Sequence, residues 1–258
     1  MPAGLGRGVW ERVMRAGLLV FTAAMAMGGE AAAFMLSPVE MTVDPAGSRT
    51  SFPVVLDNPS PTPAAIEITV HTRAMSPEGR DVLTADENDF LVMPPQVTLM
   101  PGQRQVVRLQ WFGGARDRET AYRLIAEQLP AGPGAGASED GRTRLLVRYV
   151  ASLYVRPEGA APDVAARDGR VAVGPDGACR LTFTAVNRGT AHAALRDLTI
   201  RTAGAADLEI GPERLAGVTG SVILAGGSRR FAVPLAGRCD GPAAATGPVT
   251  VALSYGVR

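Results

Sequence analysis

The sequence predicts an all-β protein made of two tandem sandwiches. Three observations carry that prediction: apolar and polar residues alternate with period two in short blocks, Pro and Gly stand between the blocks, and no segment sustains a 3.6-residue apolar period. In order, Ser51 to Asp57 (SFPVVLD), Ala65 to His71, Gln96 to Met100, Arg104 to Trp111 and Ala121 to Gln128 each read as a strand. The last strand of this set is the longest. In RTRLLVRYVASLYVRP (Arg142 to Pro157) every second residue from Thr143 to Val155 is Thr, Leu, Val, Tyr, Ala, Leu and Val. Sixteen extended residues would span roughly 50 Å at about 3.3 Å each, against a usual strand length of about 3 to 10 residues. One sandwich strand does not need that reach.

A flexible low-complexity loop, Ala131 to Gly141 (AGPGAGASEDG), precedes this strand, and a linker of Ala, Pro and charge without strand pattern, Glu158 to Asp168, follows it. A second set of strands then begins: Arg170 to Val173, Cys179 to Asn187, Ala194 to Arg201, Ser221 to Leu224, Arg229 to Leu235 and Val249 to Tyr255. Each set can bury its own core, so the chain reads as two immunoglobulin-like domains, 34–157 and 158–258.

The first 33 residues stand outside this pattern. Arg7, Arg12 and Arg15 precede the apolar run Ala16 to Met27, and Ala31, Ala32 and Ala33 offer the small residues of a cleavage site, so 1–33 reads as a cleaved secretory signal with the mature chain starting near Phe34. The run is shorter than the roughly 20 residues a membrane-spanning helix needs; an uncleaved anchor is the alternative. Removing three arginines and two glutamates from 26 basic and 25 acidic residues leaves 23 of each. A formally neutral mature chain argues against wholesale nucleic-acid binding; the absence of lysine, beside so much Ala, Gly, Pro and Arg, reflects base composition more than function.

Export puts Cys179 and Cys239 in an oxidising compartment, where a disulfide is the expected state. Closing a loop of about 60 residues contributes roughly 4 kcal/mol by chain entropy. The only two histidines, His71 and His192, have no ligand spacing to a cysteine, so no metal or cofactor is expected. Asp86, Glu87 and Asp89 read as a solvated turn with incomplete calcium-ligand spacing. No nucleophile elbow, phosphate loop or His/Cys/Asp cluster points to an enzyme.

The order of motifs is more specific. Met93-Pro94-Pro95, then Gln96 to Gln103 (QVTLMPGQ) and Val106-Val107-Arg108-Leu109, resemble the signature of periplasmic pilus-assembly chaperones of the chaperone/usher pathway. Asp117-Arg118-Glu119, Tyr122 and Glu127-Gln128-Leu129-Pro130 resemble the family's next strand, and Leu153-Tyr154-Val155-Arg156-Pro157 its exit from the first domain. The resemblance covers 34–157 strongly and the remainder loosely. It implies two immunoglobulin-like sandwiches in a boomerang arrangement, pilus or fimbrial subunits and an outer-membrane usher as partners, no cofactor and a periplasmic location. It also implies donor-strand complementation, in which Thr143, Leu145, Val147 and Tyr149 would fill a subunit's incomplete sandwich. Without the resemblance, the same side chains would be read as facing the protein's own core. An apolar edge of this kind would favour self-association of the free chain.

The sequence departs from the family at one point. Two basic residues typically hold the subunit's C-terminal carboxylate, and Glu40 and Ser152 stand at those places. The resemblance then extends to the divergent, archaic-type branch, with Arg123 as the replacement anchor; Arg123 as a solvated or internally paired strand residue is the equal alternative, and Arg144 and Arg148 are secondary candidates. The family also implies an inter-domain charge pair, Glu119 with Arg156. A structural or adhesive two-domain surface protein is the rival to the chaperone reading.

Overall fold

The computed structural model describes residues 34–47, 50–86, 88–130, 146–174, 177–204, 207–238 and 247–256. The expected residues Thr143, Arg144, Leu145, Glu87 and Cys239, and the 1–33 segment, lie outside them. Ten strands form the first unit: β1 (Met35–Ser37), β2 (Glu40–Val43), β3 (Ser51–Asp57), β4 (Ala64–Met75), β5 (Asp81–Ala85), β6 (Phe90–Met93), β7 (Gln96–Leu99), β8 (Arg104–Trp111), β9 (Thr120–Gln128) and β10 (Arg148–Val155). One sheet has the order β1-β3-β8-β6; the other runs β2-β10-β9-β4-β5, with β7 also on β4.

Alternation decides what lies between the sheets. Val54, Leu56, Val107 and Leu109 face inward from one sheet, and Ile66, Ile68, Val70, Tyr122, Leu124, Ala151 and Leu153 from the other, all buried in one cluster. Each Val, Leu or Ile side chain among them stabilises by roughly 1.5 to 3 kcal/mol. Phe90, Trp111 and Tyr122 close one end, their ring centroids 4.9 to 6.3 Å apart. The Tyr122 hydroxyl donates to Asp89 Oδ2 at 2.6 Å, and Arg116 donates to Oδ1 at 2.9 Å. The other described member of the acidic run is internally committed too: Asp86 accepts from the backbone N–H groups of Asp89 and Phe90.

The Leu-Met-Pro-Gly segment of the family-like motif is a turn. Gln103 N–H donates to Met100 O, and Gly102 takes φ 70°, the conformation a type II turn requires at its third position. The fully buried Asn58 holds that turn: its Nδ2 donates to Leu99 O at 3.0 Å and to Thr62 O at 2.9 Å, while its backbone O accepts from Gly102 N–H.

The second unit comprises β11 (Val164–Val173), β12 (Ala178–Asn187), β13 (Ala193–Ala194), β14 (Arg196–Gly204), β15 (Leu208–Ile210), β16 (Val222–Ile223), β17 (Ser228–Arg238) and β18 (Gly247–Gly256). Its six-stranded sheet has the order β15-β14-β18-β11-β12-β17, and β13 pairs with β16. Leu181, Phe183, Leu198, Ile200, Ile223 and Val233 belong to its separate core. Cys179 is disulfide-bonded.

Here the structure corrects the sequence. The predicted linker Glu158 to Asp168 is already strand from Val164, which is buried. A bulge hid it: the register shifts between Arg167 and Arg170, Asp168 takes φ 58°, and Gly169 passes so close to β18 that a Cβ would stand 2.4 Å from Val249 O. That interruption destroys the period-two signal. Both units are nearly all strand, as the composition of blocks predicted.

Candidate functional site: an open strand edge and an arginine cleft

The long predicted strand divides at Ser152. From there to Val155, β10 lies between β9 and the parallel β2, with Ser152 opposite Glu40. From Arg148 to Ala151 only β9 is beside it among the described residues. Ser152 N–H donates to Val39 O and Arg156 N–H to Val43 O, so residues of this parity turn their amides away from β9. Arg148 and Val150 share that parity, so among the described residues no strand pairs with their outward backbone groups and the edge is open there.

Apolar side chains stand on both faces of this edge, with Arg148 between Leu146 and Val150 on the outer one. Leu146 and Val150 are exposed, at 44% and 47%. Val147 and Tyr149 turn toward the first core and are half-buried at its margin, with the Tyr149 ring 5.0 Å from Phe34. These two expected subunit contacts thus touch their own domain as well. Arg148 is 3.4 Å from Glu127, an exposed pair that contributes about 0 to 1 kcal/mol.

Cross-strand register sets the rest of the site. His71, Arg123, Ser152 and Glu40 fall in one row across β4, β9, β10 and β2, on the outer face of the larger sheet. Arg123 Nη1 donates to Ser152 Oγ at 2.6 Å, so its guanidinium reaches over the place where the family usually carries a basic residue. It is internally paired as well: Arg123 Nη2 lies 2.7 Å from Asp81 Oδ2, and Arg73 Nε lies 2.8 Å from Asp81 Oδ1. Arg73 also donates to the Tyr154 hydroxyl at 3.3 Å. These groups line an open cavity of about 620 Å³ whose opposite wall is 219–222 of the second domain. His71 is not drawn in; its Nε2 is 3.1 Å from Thr69 Oγ1.

Glu119 and Arg156 are ion-paired at 2.5 Å, and both belong to the first domain. The residue that carries the contact across is His192, whose backbone N–H donates to Glu119 Oε1 at 3.0 Å and whose Nδ1 lies 2.7 Å from the same oxygen. Glu119 N–H donates to Thr190 O. Burial works against the charged Glu119, but His192 and then Arg156 outweigh it and hold the carboxyl below the ordinary carboxylate range. His192 escaped the sequence reading because its partners are far away in the chain; the aromatic residue before Arg156-Pro157 was the one available hint. The tip of the β4–β5 hairpin makes a second crossing, with Arg230 N–H donating to Pro77 O and Arg230 2.9 Å from Glu78.

Residues 36–161 match the family model "Pili and flagellar-assembly chaperone, PapD N-terminal domain". The chain carries this chaperone family's N-terminal domain over those residues. Its fold is that of the family's solved members: a chaperone and tip-subunit pre-assembly complex from the archaic chaperone-usher Csu pili of Acinetobacter baumannii matches at TM-score 0.57, with 18% identity over 80% of this chain and 89% of that one. The class 5 fimbriae chaperone CfaA matches at 0.53, with 14% identity over 87% and 100%. A chaperone and tip adhesin complex of CFA/I fimbriae biogenesis matches at 0.52, with 16% identity over 78% and 85%. No curated protein matches the sequence.

Proposed function

We propose that the protein is a periplasmic, non-enzymatic chaperone that holds pilus or fimbrial subunits by donor-strand complementation and delivers them to an outer-membrane usher. In this reading 1–33 is a cleaved secretory signal, 34–157 the strand-lending domain and 158–258 the second domain. The observation that carries it is the open edge of β10 from Arg148 to Ala151, on a strand with apolar side chains on both faces in a family of pilus chaperones. Such an edge can complete another sheet by main-chain hydrogen bonds while alternating side chains fill its groove. Leu145, Val147 and Tyr149, with Thr143 at the margin, are the residues assigned to the subunit. Each offers roughly 1.5 to 3 kcal/mol on burial, before the entropy of association is subtracted. Arg123 is the assigned anchor for the subunit's terminal carboxylate, and Glu119 with Arg156 helps to fix the domains. Left free, the same edge favours self-association.

The test is periplasmic co-expression of the full chain with the subunits encoded beside it, followed by pull-down. Leu145→Glu should abolish capture, and Val147→Glu should do the same after its melting temperature has been checked, because Val147 also touches the core. Unchanged capture by a folded Leu145→Glu variant overturns the strand-lending assignment.

A further inference from the structure

The two domains turn one corner in the same way. Asn58 stands directly after β3 and Asn187 ends β12, and both are fully buried. Asn58 Nδ2 donates to Thr62 O and Leu99 O; Asn187 Nδ2 donates to Ala191 O and Ile223 O. In each case one carbonyl lies four residues on and the other ends a distant strand. Oδ1 of each accepts the N–H two residues ahead, from Ser60 and from Gly189. The backbone agrees: Asn58 N–H donates to Gln103 O and Asn187 N–H to Gly227 O, each at a turn whose glycine, Gly102 or Gly226, takes φ 70°. Met100 of the first turn thus corresponds to Leu224 of the second.

The copies differ in what lies against them. Met100 is 55% exposed, whereas Leu224 is buried against Ala121 and Tyr154 of the first domain. The loop after Asn187 also carries Thr190 and His192, which bond Glu119. A side-chain amide oxygen can accept two hydrogen bonds. Asn187 Oδ1 takes its second from Asp163 N–H in the linker, where Asn58 Oδ1 has only Ser60 among the described residues. The same loop holds the linker further: Arg188 N–H donates to Asp163 O, Thr190 N–H to Ala161 O, and Ala161 N–H to Thr190 Oγ1. Gly189 lies so close that a Cβ there would stand 2.5 Å from Asp163 N and 2.7 Å from Pro162 C; its counterpart Ser60 keeps a side chain that bonds Thr62. On the other side, Arg156 N–H ties the chain to Val43 O of the first domain. Between these attachments lie Pro157 to Ala160, which no hydrogen bond joins to either domain among the described residues; Ala160 N–H returns to Pro157 O.

We infer that Asn187 is the positioning residue of the domain junction. Its corner is a second copy of the Asn58 corner, adapted into a platform that fixes 161–163 and presents Thr190, His192 and Leu224 to the first domain. The pivot between the domains is thereby confined to Pro157–Ala160. Residues 219–222, the second-domain wall of the arginine cleft, run directly into Ile223, so the same asparagine sets the width of that cleft. The platform is complete within one chain, and its role is independent of any partner.

The test measures residual dipolar couplings on the full mature chain, fitted separately for the two domains. A rigid junction gives both domains one alignment tensor. Asn187→Ala should split it into two of unequal magnitude. Leu181→Ala, at a fully buried core position of the same domain, should lower that domain's melting temperature while leaving a common tensor, and Asn58→Ala should do likewise for the first domain. Two tensors already in the unmodified chain, a common tensor in Asn187→Ala, or an equal split in Leu181→Ala overturns the inference. Should Asn187→Ala fail to fold, Gly189→Ala keeps the asparagine and drives a methyl group into the linker; it must split the tensor, and failure to do so overturns the inference equally. Hydrogen exchange of the unmodified chain gives an independent reading: the amides of Ala161, Asp163 and Thr190 should exchange slowly and those of Glu158 and Gly159 fast. Exchange at Ala161 and Asp163 as fast as at Glu158 and Gly159 overturns it as well. No subunit enters either measurement, so their outcome is separate from that of the pull-down.

Discussion

His192 of the second domain lies on the ring of Tyr154 in the first, centroids 3.9 Å apart and planes 20° from parallel. The same imidazole bonds Glu119, so one side chain supplies both an apolar and a polar contact across the junction. His192→Ala should weaken domain docking by about 1.5 to 3 kcal/mol, the worth of a hydrogen bond to a charged group, while leaving both cores intact. Limited proteolysis between Pro157 and Asp163 should accelerate at constant near-ultraviolet dichroism of the cores. An unchanged cleavage rate would assign the docking to the other crossing contacts instead, Glu119 N–H to Thr190 O and Arg230 N–H to Pro77 O.

Acid should loosen this junction first. The Glu119 carboxyl lies below its unfolded value of about 4.3, so its contribution is fully present above that pH and is lost as the pH falls through the lower folded value. Small-angle scattering should therefore report a constant shape from neutrality to about pH 5 and increasing domain separation below about 4. Glu119→Gln should be looser at neutral pH and insensitive over that range.

Tyr122 should ionise late in an alkaline titration. Burial, followed by the Asp89 carboxylate, pushes its phenol well above the ordinary tyrosine range. A raised folded value means that its stabilisation is complete below the unfolded value near 10 and is lost as the pH climbs toward the folded one. Alkaline absorbance titration should resolve the late tyrosine, and Tyr122→Phe should abolish that step. The same substitution should cost the first domain about 1.5 to 3 kcal/mol in urea unfolding by orphaning one Asp89 oxygen.

Asn187 should prove as costly to remove as a core leucine. It is fully buried; Nδ2 donates to Ala191 O and Ile223 O, and Oδ1 accepts from the backbone N–H groups of Asp163 and Gly189. Asn187→Ala strands several of these groups at about 1 to 3 kcal/mol each, so a loss of at least 2 kcal/mol is expected in second-domain unfolding. Because the Asp163 amide donates to Asn187 Oδ1, its hydrogen exchange should rise as well.

Strands with one buried face were readable in advance because their alternation is written along the chain. Ser51 to Asp57 and Arg104 to Trp111 have the predicted bounds. The strand Asp81–Ala85 was invisible, since none of its five residues is buried and an edge strand needs no apolar face. Val164–Val173 was concealed by its bulge. Long-range polar partners were equally unreadable: nothing in the sequence links Asp81 to Arg123, which lie 42 positions apart, or His192 to Glu119, which lie 73 apart.

What the sequence by itself determined is the kind of protein: period-two blocks, turn residues between them and the ordered motifs from Met93 to Pro157 depend only on local chemistry and spacing. What only the tertiary structure decided is where the strand Arg148–Val155 stops being covered and which charges meet in the cleft. The parallel β2 begins to pair at Ser152, so the uncovered edge is defined by a neighbour more than a hundred residues away in the chain. Arg123 takes up the space above Ser152 because cross-strand register places it there, and register is a property of the assembled sheet.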